Sequence, residues 1–362
     1  MSVTTIVFAC ESLALGNGGI SRVDRLIAQV LSEEVTAGRA EVSIIVFLDC
    51  APPPDAPENV RISSYGASKI KFAARLALEA CRAHVFIYDT AYLARAHFRF
   101  VPLRVKTLVF LHGIEVWERA KRPWLAACRR ADALVSNSAF TRQRADQLHG
   151  GFARAKVCWL ATEHDAAGTP PAISVKRPQV LVVGRMMKQN AYKGHKELIE
   201  AWAHVLEKVP DAKLVFIGRG DLMPTLQAMA EAKRLKEFIE FKGFVTETEL
   251  SEAYAQSAAF ALPSRGEGFG LVYIEAMRHR LPVIASVHDA GAELVRDGET
   301  GITVNLDKPG DLADRIVGLL TDLPAAQAMG ESGYKCWKEN FTYEAFRTRF
   351  MAILGPLLRK SD

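Results

Sequence analysis

Ser264-Arg-Gly-Glu-Gly-Phe-Gly-Leu-Val-Tyr-Ile-Glu-Ala-Met277 follows a short apolar run, residues 259–262, that reads as a buried strand. Gly266, Gly268 and Gly270 make a turn in which backbone N–H groups can approach an anion, and from about Leu271 the pattern becomes helical. A helix that begins there aims its free N–H groups and the positive end of its dipole at the turn, which favours phosphate. Glu267 stands in the turn, and Glu275 lies eight residues on, within the helix. A carboxylate beside a diphosphate is repelled unless it accepts hydrogen bonds from hydroxyl groups, such as those of a sugar. The stretch therefore describes a phosphate-and-sugar site at the end of a strand. A glycine turn bearing two solvated glutamates is the plainer alternative.

Outward from this stretch, short apolar runs alternate with longer amphipathic ones. Candidate strands cover residues 5–9, 42–48, 84–88, 107–112, 133–136 and 156–160, with helical patterns at 20–35 and 138–148. A proline-bearing stretch of small residues, 165–178, has the composition of a linker. Strand candidates then resume at 179–183, 213–217, 239–241, 259–262, 283–285 and 302–304, with helices at 193–209 and 247–257. This alternation predicts an α/β fold of two tandem, doubly wound Rossmann-like domains with a cleft between them. The expected division is residues 1–170, 171–340 and a C-terminal helix, 341–362, packing back toward the first domain.

Three further motifs carry chemistry. In Val183-Gly-Arg-Met-Met-Lys-Gln-Asn-Ala-Tyr-Lys-Gly-His195, Arg185 follows a strand and Lys193 is expected to start a helix. Two cations there suit a diphosphate leaving group, whose charge grows as its bond to the sugar breaks. Lys188 is a substitute for either, and surface charges at element ends are the plainer reading. Leu15-Gly-Asn-Gly-Gly-Ile-Ser-Arg22 follows the first strand, but Ser21 stands where the dinucleotide fingerprint needs its third glycine. His112, in Val109-Phe-Leu-His-Gly-Ile-Glu-Val-Trp117, ends a strand, where an α/β site would place it. Glu115 and Trp117 are candidates for an acceptor side, and Asn137 or Ser138 for a helix cap.

Together these motifs resemble the large group-one family of retaining glycosyltransferases with the GT-B fold, in order along nearly the whole chain. Residues 264–277 are similar to its E-x7-E motif. The resemblance implies that Glu275 holds the ribose and Glu267 the donor sugar, with Gly268, Phe269, Gly270 and Leu271 around the donor. It implies Arg185 and Lys193 on the diphosphate, Gly18 and Gly19 approaching the donor phosphate, and His112 against the sugar. Gly218-Arg-Gly-Asp221 resembles the family's turn after the second strand of the C-terminal domain. Residues 288–301 depart from the pattern: Asp289-Ala290-Gly291 and Ala292-Glu293 stand where the family usually has Gly-Gly and Pro-Glu. How this loop meets the donor is thereby open.

The implied activity is hexosyl transfer with retention, from GDP-mannose or a UDP-hexose to a glycan or lipid-linked acceptor, in bacterial polysaccharide or glycoconjugate synthesis. A non-catalytic nucleotide-sugar or phosphate-binding module, a sugar epimerase and a phosphorylase are the alternatives. No D-x-D carboxylate pair occurs, so neither metal nor cofactor is expected, the nucleotide sugar being substrate. The six cysteines form no C-x-x-C pair, which argues against a zinc ribbon and fits a reducing compartment. With no leader-like segment, a cytoplasmic location is expected. The net charge of +5 lies in the first half of the chain. A basic, aromatic stretch at residues 92–106, followed by Arg119, Lys121, Arg122, Arg129 and Arg130, suits contact with the inner face of an anionic membrane. An ordinary solvated helix face would read the same. The charge excess is modest and no nucleic-acid module is present, so no nucleic-acid partner is expected.

Overall fold

A computed structural model describes residues 4–16, 18–100, 105–163 and 177–359. Most of the expected linker, residues 165–178, and residues 101–104 of the basic stretch lie outside the described residues. The chain divides into two compact units, Met1–Glu163 with Tyr343–Asp362, and His164–Thr342.

The N-terminal unit is built on seven parallel strands: β1 (Thr4–Cys10), β2 (Ala40–Val46), β3 (Arg61–Ser64), β4 (Val85–Tyr88), β5 (Lys106–Leu111), β6 (Ala133–Ser136) and β7 (Lys156–Val157). Their order is β3-β2-β1-β4-β5-β6-β7, with Ile6 of β1 paired to Val42 on one side and Val85 on the other. Central strands covered by helices on both faces are apolar almost throughout. Accordingly, Ile6 to Cys10 and Val85 to Tyr88 are all fully buried. The helix Gly19–Thr36 turns Val23, Leu26, Ile27, Val30 and Leu31 inward at helical spacing. The C-terminal helix Tyr343–Leu358 belongs to this unit. It buries Phe346, Phe350 and Leu354, sets the Phe350 ring tilted against Phe110 at 5.7 Å, and ties Arg347 to Glu33 at 2.6 Å.

The C-terminal unit has six parallel strands: β8 (Gln179–Val183), β9 (Lys213–Ile217), β10 (Ile239–Gly243), β11 (Ala259–Ala261), β12 (Val283–Ser286) and β13 (Gly301–Val304). They run in the order β10-β9-β8-β11-β12-β13. Both sheets are thus doubly wound, and the order reverses between β1 and β4 in one and between β8 and β11 in the other. In such sheets the loops at the C-terminal ends of the strands flanking the reversal form the ligand crevice. In the C-terminal unit those loops hold Gly184–Lys193 and the Ser264–Met277 motif.

Two expectations need correction. Lys193 does not start a helix: it ends a 3-10 turn, Lys188–Lys193, and the α-helix runs His195–Lys208 after Gly194 in the left-handed region. The strand β3 is absent from the sequence reading because Arg-Ile-Ser-Ser has one apolar residue and, at the sheet edge, stays half-exposed. Among the described residues no helix is long and apolar enough to cross a membrane.

Candidate active site

The candidates divide between the units: Gly18, Gly19 and His112 lie in the N-terminal one, the others in the C-terminal one. In the C-terminal unit the two loops flanking the reversal are stitched together. Arg265 donates its N–H to the Tyr192 carbonyl at 2.8 Å, and the Lys193 ammonium is ion-paired with Glu267, both largely buried. Gly194 lets this happen: its φ is +80°, and a Cβ there would lie 2.2 Å from the Pro263 carbonyl oxygen. Arg185 is exposed and has no ion-pair partner among the described residues. The turn Gly218–Asp221 steadies its loop. Met186 N–H bonds the Arg219 carbonyl at 3.0 Å, and Lys188 N–H bonds Asp221 at 2.7 Å.

The glycine motif is anchored from beneath. Ser264 Oγ accepts Gly266 N–H at 3.1 Å, and the Ser286 hydroxyl donates to the Ser264 carbonyl. Gly270 caps the helix Leu271–Arg278, whose first turn therefore opens toward the turn holding Glu267 and Gly268. The Phe269 ring is buried, edge-on to Phe341 at 6.2 Å, so its side chain belongs to the core and only its backbone can meet a ligand. Glu275 accepts the Tyr254 hydroxyl at 3.3 Å, and the Tyr254 ring stacks on His279 at 4.6 Å.

The departure at Asp289 has a structural job. Its carboxyl is buried and accepts Glu267 N–H at 2.8 Å and Gly291 N–H at 2.9 Å, while Ala290 N–H bonds the Glu267 carbonyl at 3.2 Å. Asp289 thereby fixes the backbone of the residue expected to meet the sugar. Burial, and then the charge of Glu267, push its pKa up to about 7. His195, beside Lys193, is also buried, and burial pulls its pKa down to about 4, so the ring is neutral. Sequence reading gave no role to Asp289, Ser264, Tyr254 or His195. Asp289, Ser264 and Tyr254 act through contacts remote in sequence, and only the broken glycine pair signalled Asp289.

In the N-terminal unit, the loop between β1 and Gly18 is held by acidic side chains. Asp49 accepts the Ser12 hydroxyl at 2.6 Å and Leu13 N–H at 2.8 Å; Asp89 accepts Glu11 N–H at 2.6 Å. Asp24 and Asp89 are fully buried, and burial raises both well above the carboxylate range. Gly18 caps the helix that starts at Gly19. His112 sits one residue past β5, with Nε2 2.7 Å from the Asp89 carbonyl oxygen. That oxygen can only accept, so Nε2 carries the proton and Nδ1 is left as an acceptor. Burial holds His112 below its usual pKa, opposed by Glu115. Glu115 accepts His112 N–H, and the Asn137 amide donates to the His112 carbonyl at 2.9 Å. The cap falls to Ser138, which accepts Thr141 N–H at 3.0 Å. Trp117 is buried in the core, which removes it from the acceptor side.

The family model described as "Glycosyl transferases group 1" matches residues 177–322, a range that contains all six strands of the C-terminal sheet. A GDP-mannose-dependent alpha-(1-6)-phosphatidylinositol monomannoside mannosyltransferase of Mycolicibacterium smegmatis is 28% identical over 264 residues, covering 67% of this chain and 68% of that one. A phosphatidyl-myo-inositol mannosyltransferase of Mycobacterium leprae is 37% identical over 142 residues, 39% of this chain and 37% of that one. Among solved structures, Anabaena HepE in complex with UDP and glucose superposes with a TM-score of 0.79 at 19% identity, over 98% of this chain and 100% of that one. The C-terminal unit thus carries the match to group-one glycosyltransferases, and the pair of doubly wound sheets has the GT-B fold of the solved structure.

Proposed function

We propose that this glycosyltransferase moves a hexosyl group, with retention, from a nucleotide-diphosphate sugar to a lipid-linked or glycan acceptor, with GDP-mannose the favoured donor. The observation that carries the reading is the Lys193–Glu267 pair at the mouth of the Leu271–Arg278 helix. It sets a cation and a sugar-binding carboxylate side by side where a helix N-terminus favours phosphate. On donor binding the pair opens. Lys193 and Arg185 turn to the diphosphate, Glu267 accepts a hydroxyl of the sugar, and Glu275, held by Tyr254, accepts the ribose hydroxyls. The bond from the anomeric carbon to phosphate oxygen breaks, and the acceptor oxygen bonds the same face of that carbon. The acceptor proton passes to the leaving phosphate. The two cations meet the charge that develops, so no metal is required. Neutral His112 offers Nδ1 to a donor-sugar hydroxyl, and Gly18 and Gly19 bring backbone close to the phosphate.

Mannose is favoured because two relatives are named as mannosyltransferases, one of them GDP-mannose-dependent. Their phosphatidylinositol-based acceptors favour a lipid-linked acceptor in glycoconjugate or polysaccharide synthesis, with the N-terminal unit as acceptor domain in peripheral contact with the cytoplasmic face of an anionic membrane. The test is release of nucleoside diphosphate from GDP-mannose, UDP-glucose and UDP-galactose with chelator and a lipid extract present, the product anomer being read by NMR. One donor should be consumed and give the α-product. A β-product would overturn retention, and turnover that needed added Mg²⁺ would overturn metal independence.

A further inference from the structure

Three helices of the N-terminal unit, Lys69–Ala80, Ala91–Phe100 and Arg122–Arg130, enclose an open groove of about 730 Å³. Its origin is legible in the residues that line it. Ala73 and Ala77 lie one turn apart on the first helix, with Ala96 and Ala126 on the other two. Large side chains at such positions would interdigitate and close the space; alanines leave it open. The floor is aromatic: Phe47 meets Phe72 edge-on at 5.3 Å and Tyr92 at 6.0 Å.

The rim has the opposite character. Lys69, Arg95 and Arg130 border the groove, and the Arg95 guanidinium lies over the Tyr92 ring at 4.3 Å. Residues 119–130 carry five cations and no carboxylate. Ile70, also on the rim, is 84% exposed. An apolar trough edged by cations matches an amphiphile with an anionic head. Free phosphate would leave the trough unused, and a neutral apolar segment would leave the cations unused.

We propose that this groove takes one acyl chain of an anionic membrane phospholipid, its phosphate held at the rim of Lys69, Arg95 and Arg130. The site deepens the membrane contact of the proposed function and rests on that part of it, yet its occupancy does not depend on donor chemistry. Seated there, a lipid would hold the N-terminal unit at the membrane surface by a defined pocket instead of diffuse charge.

The experiment is co-sedimentation of the full chain with phosphatidylglycerol or phosphatidylcholine vesicles, for the native protein, Ala77→Trp and Lys69→Glu. The urea unfolding transition of each variant serves as the control for folding, and nucleotide-induced stabilisation reads the C-terminal unit. The groove predicts binding to phosphatidylglycerol well above phosphatidylcholine. It predicts about tenfold weaker binding when Ala77→Trp fills the trough, and a several-fold loss in Lys69→Glu. Binding by Ala77→Trp equal to native would overturn the groove and leave surface charge as the whole attraction. Absence of phosphatidylglycerol binding by a protein that nucleotide still stabilises would overturn the membrane contact as well, leaving the donor site standing. Should Ala77→Trp not fold, native protein is mixed with lipid brominated along the acyl chain. Trp124 stands 5.9 Å from Tyr92 and reports on the floor. Quenching lost in Trp124→Phe supports the groove, and its absence in the native protein overturns it.

Discussion

Replacing Gly194 by alanine should damage both stability and donor binding. The residue has φ +80°, and its added Cβ would stand 2.2 Å from the Pro263 carbonyl oxygen and 2.9 Å from the Pro263 ring. Holding an L-residue in the left-handed region costs about 1–2 kcal/mol. Relieving overlap with a backbone atom, which cannot rotate away, adds about 1–3 kcal/mol. Gly298 provides the control, because its φ is +75° and nothing lies within 4 Å of its would-be Cβ. Urea denaturation should therefore show Gly298→Ala losing about 1–2 kcal/mol and Gly194→Ala about 2–5 kcal/mol. The excess arises from prising apart the loops that Lys193 and Glu267 join, so nucleotide affinity should fall in Gly194→Ala and not in Gly298→Ala. A Gly194→Ala protein no less stable than Gly298→Ala would refute the close approach of these loops.

Lys193→Met should lower the rate of nucleoside diphosphate release by about 10²–10³ if the ammonium meets the leaving group; a rate within threefold of native would remove it from that role. Tyr254→Phe removes one hydrogen bond to Glu275, so affinity for nucleoside diphosphate should drop several-fold while the urea midpoint moves little. Equal affinity by calorimetry would show that Glu275 needs no such support. Asp289 carries a sign for pH. Its folded pKa, about 7, lies above the ordinary 3.8, so the folded state holds the proton more tightly. Its contribution is present below about pH 4 and is lost as pH rises to about 7, by a few kcal/mol at most. Urea midpoints across that window should fall less steeply in Asp289→Asn, and parallel curves would contradict the assignment.

The strands with both faces covered were readable because burial imposes an unbroken apolar run, as in Thr4–Cys10 and Val85–Tyr88. The edge strand Arg61–Ser64 carries no such imprint, since its exposed face tolerates any residue. The glycine turn and the helix after it were readable too, because their geometry is local. The supports were not. Asp289 reaches Glu267 across 22 residues, and Asp89 reaches Glu11 across 78. The sequence signalled the first only as an oddity where two glycines were expected. Lys193 shows the limit at a boundary: a helical pattern extends through it, but Gly194 in the left-handed region separates the 3-10 turn from the helix.

The central claim is that the Ser264–Met277 turn and helix hold the nucleotide of the donor. The most direct test is the melting temperature of the native protein and Glu275→Ala with GDP, UDP, ADP or TDP, each with chelator present. A ligand that binds only the folded state at 100 times its Kd adds about 2.7 kcal/mol, a rise of about 5 °C or more for a unit of this size. The account predicts such a rise with one nucleotide, GDP first among them, and its loss in Glu275→Ala. No rise with any nucleotide, or an equal rise in Glu275→Ala, would contradict it.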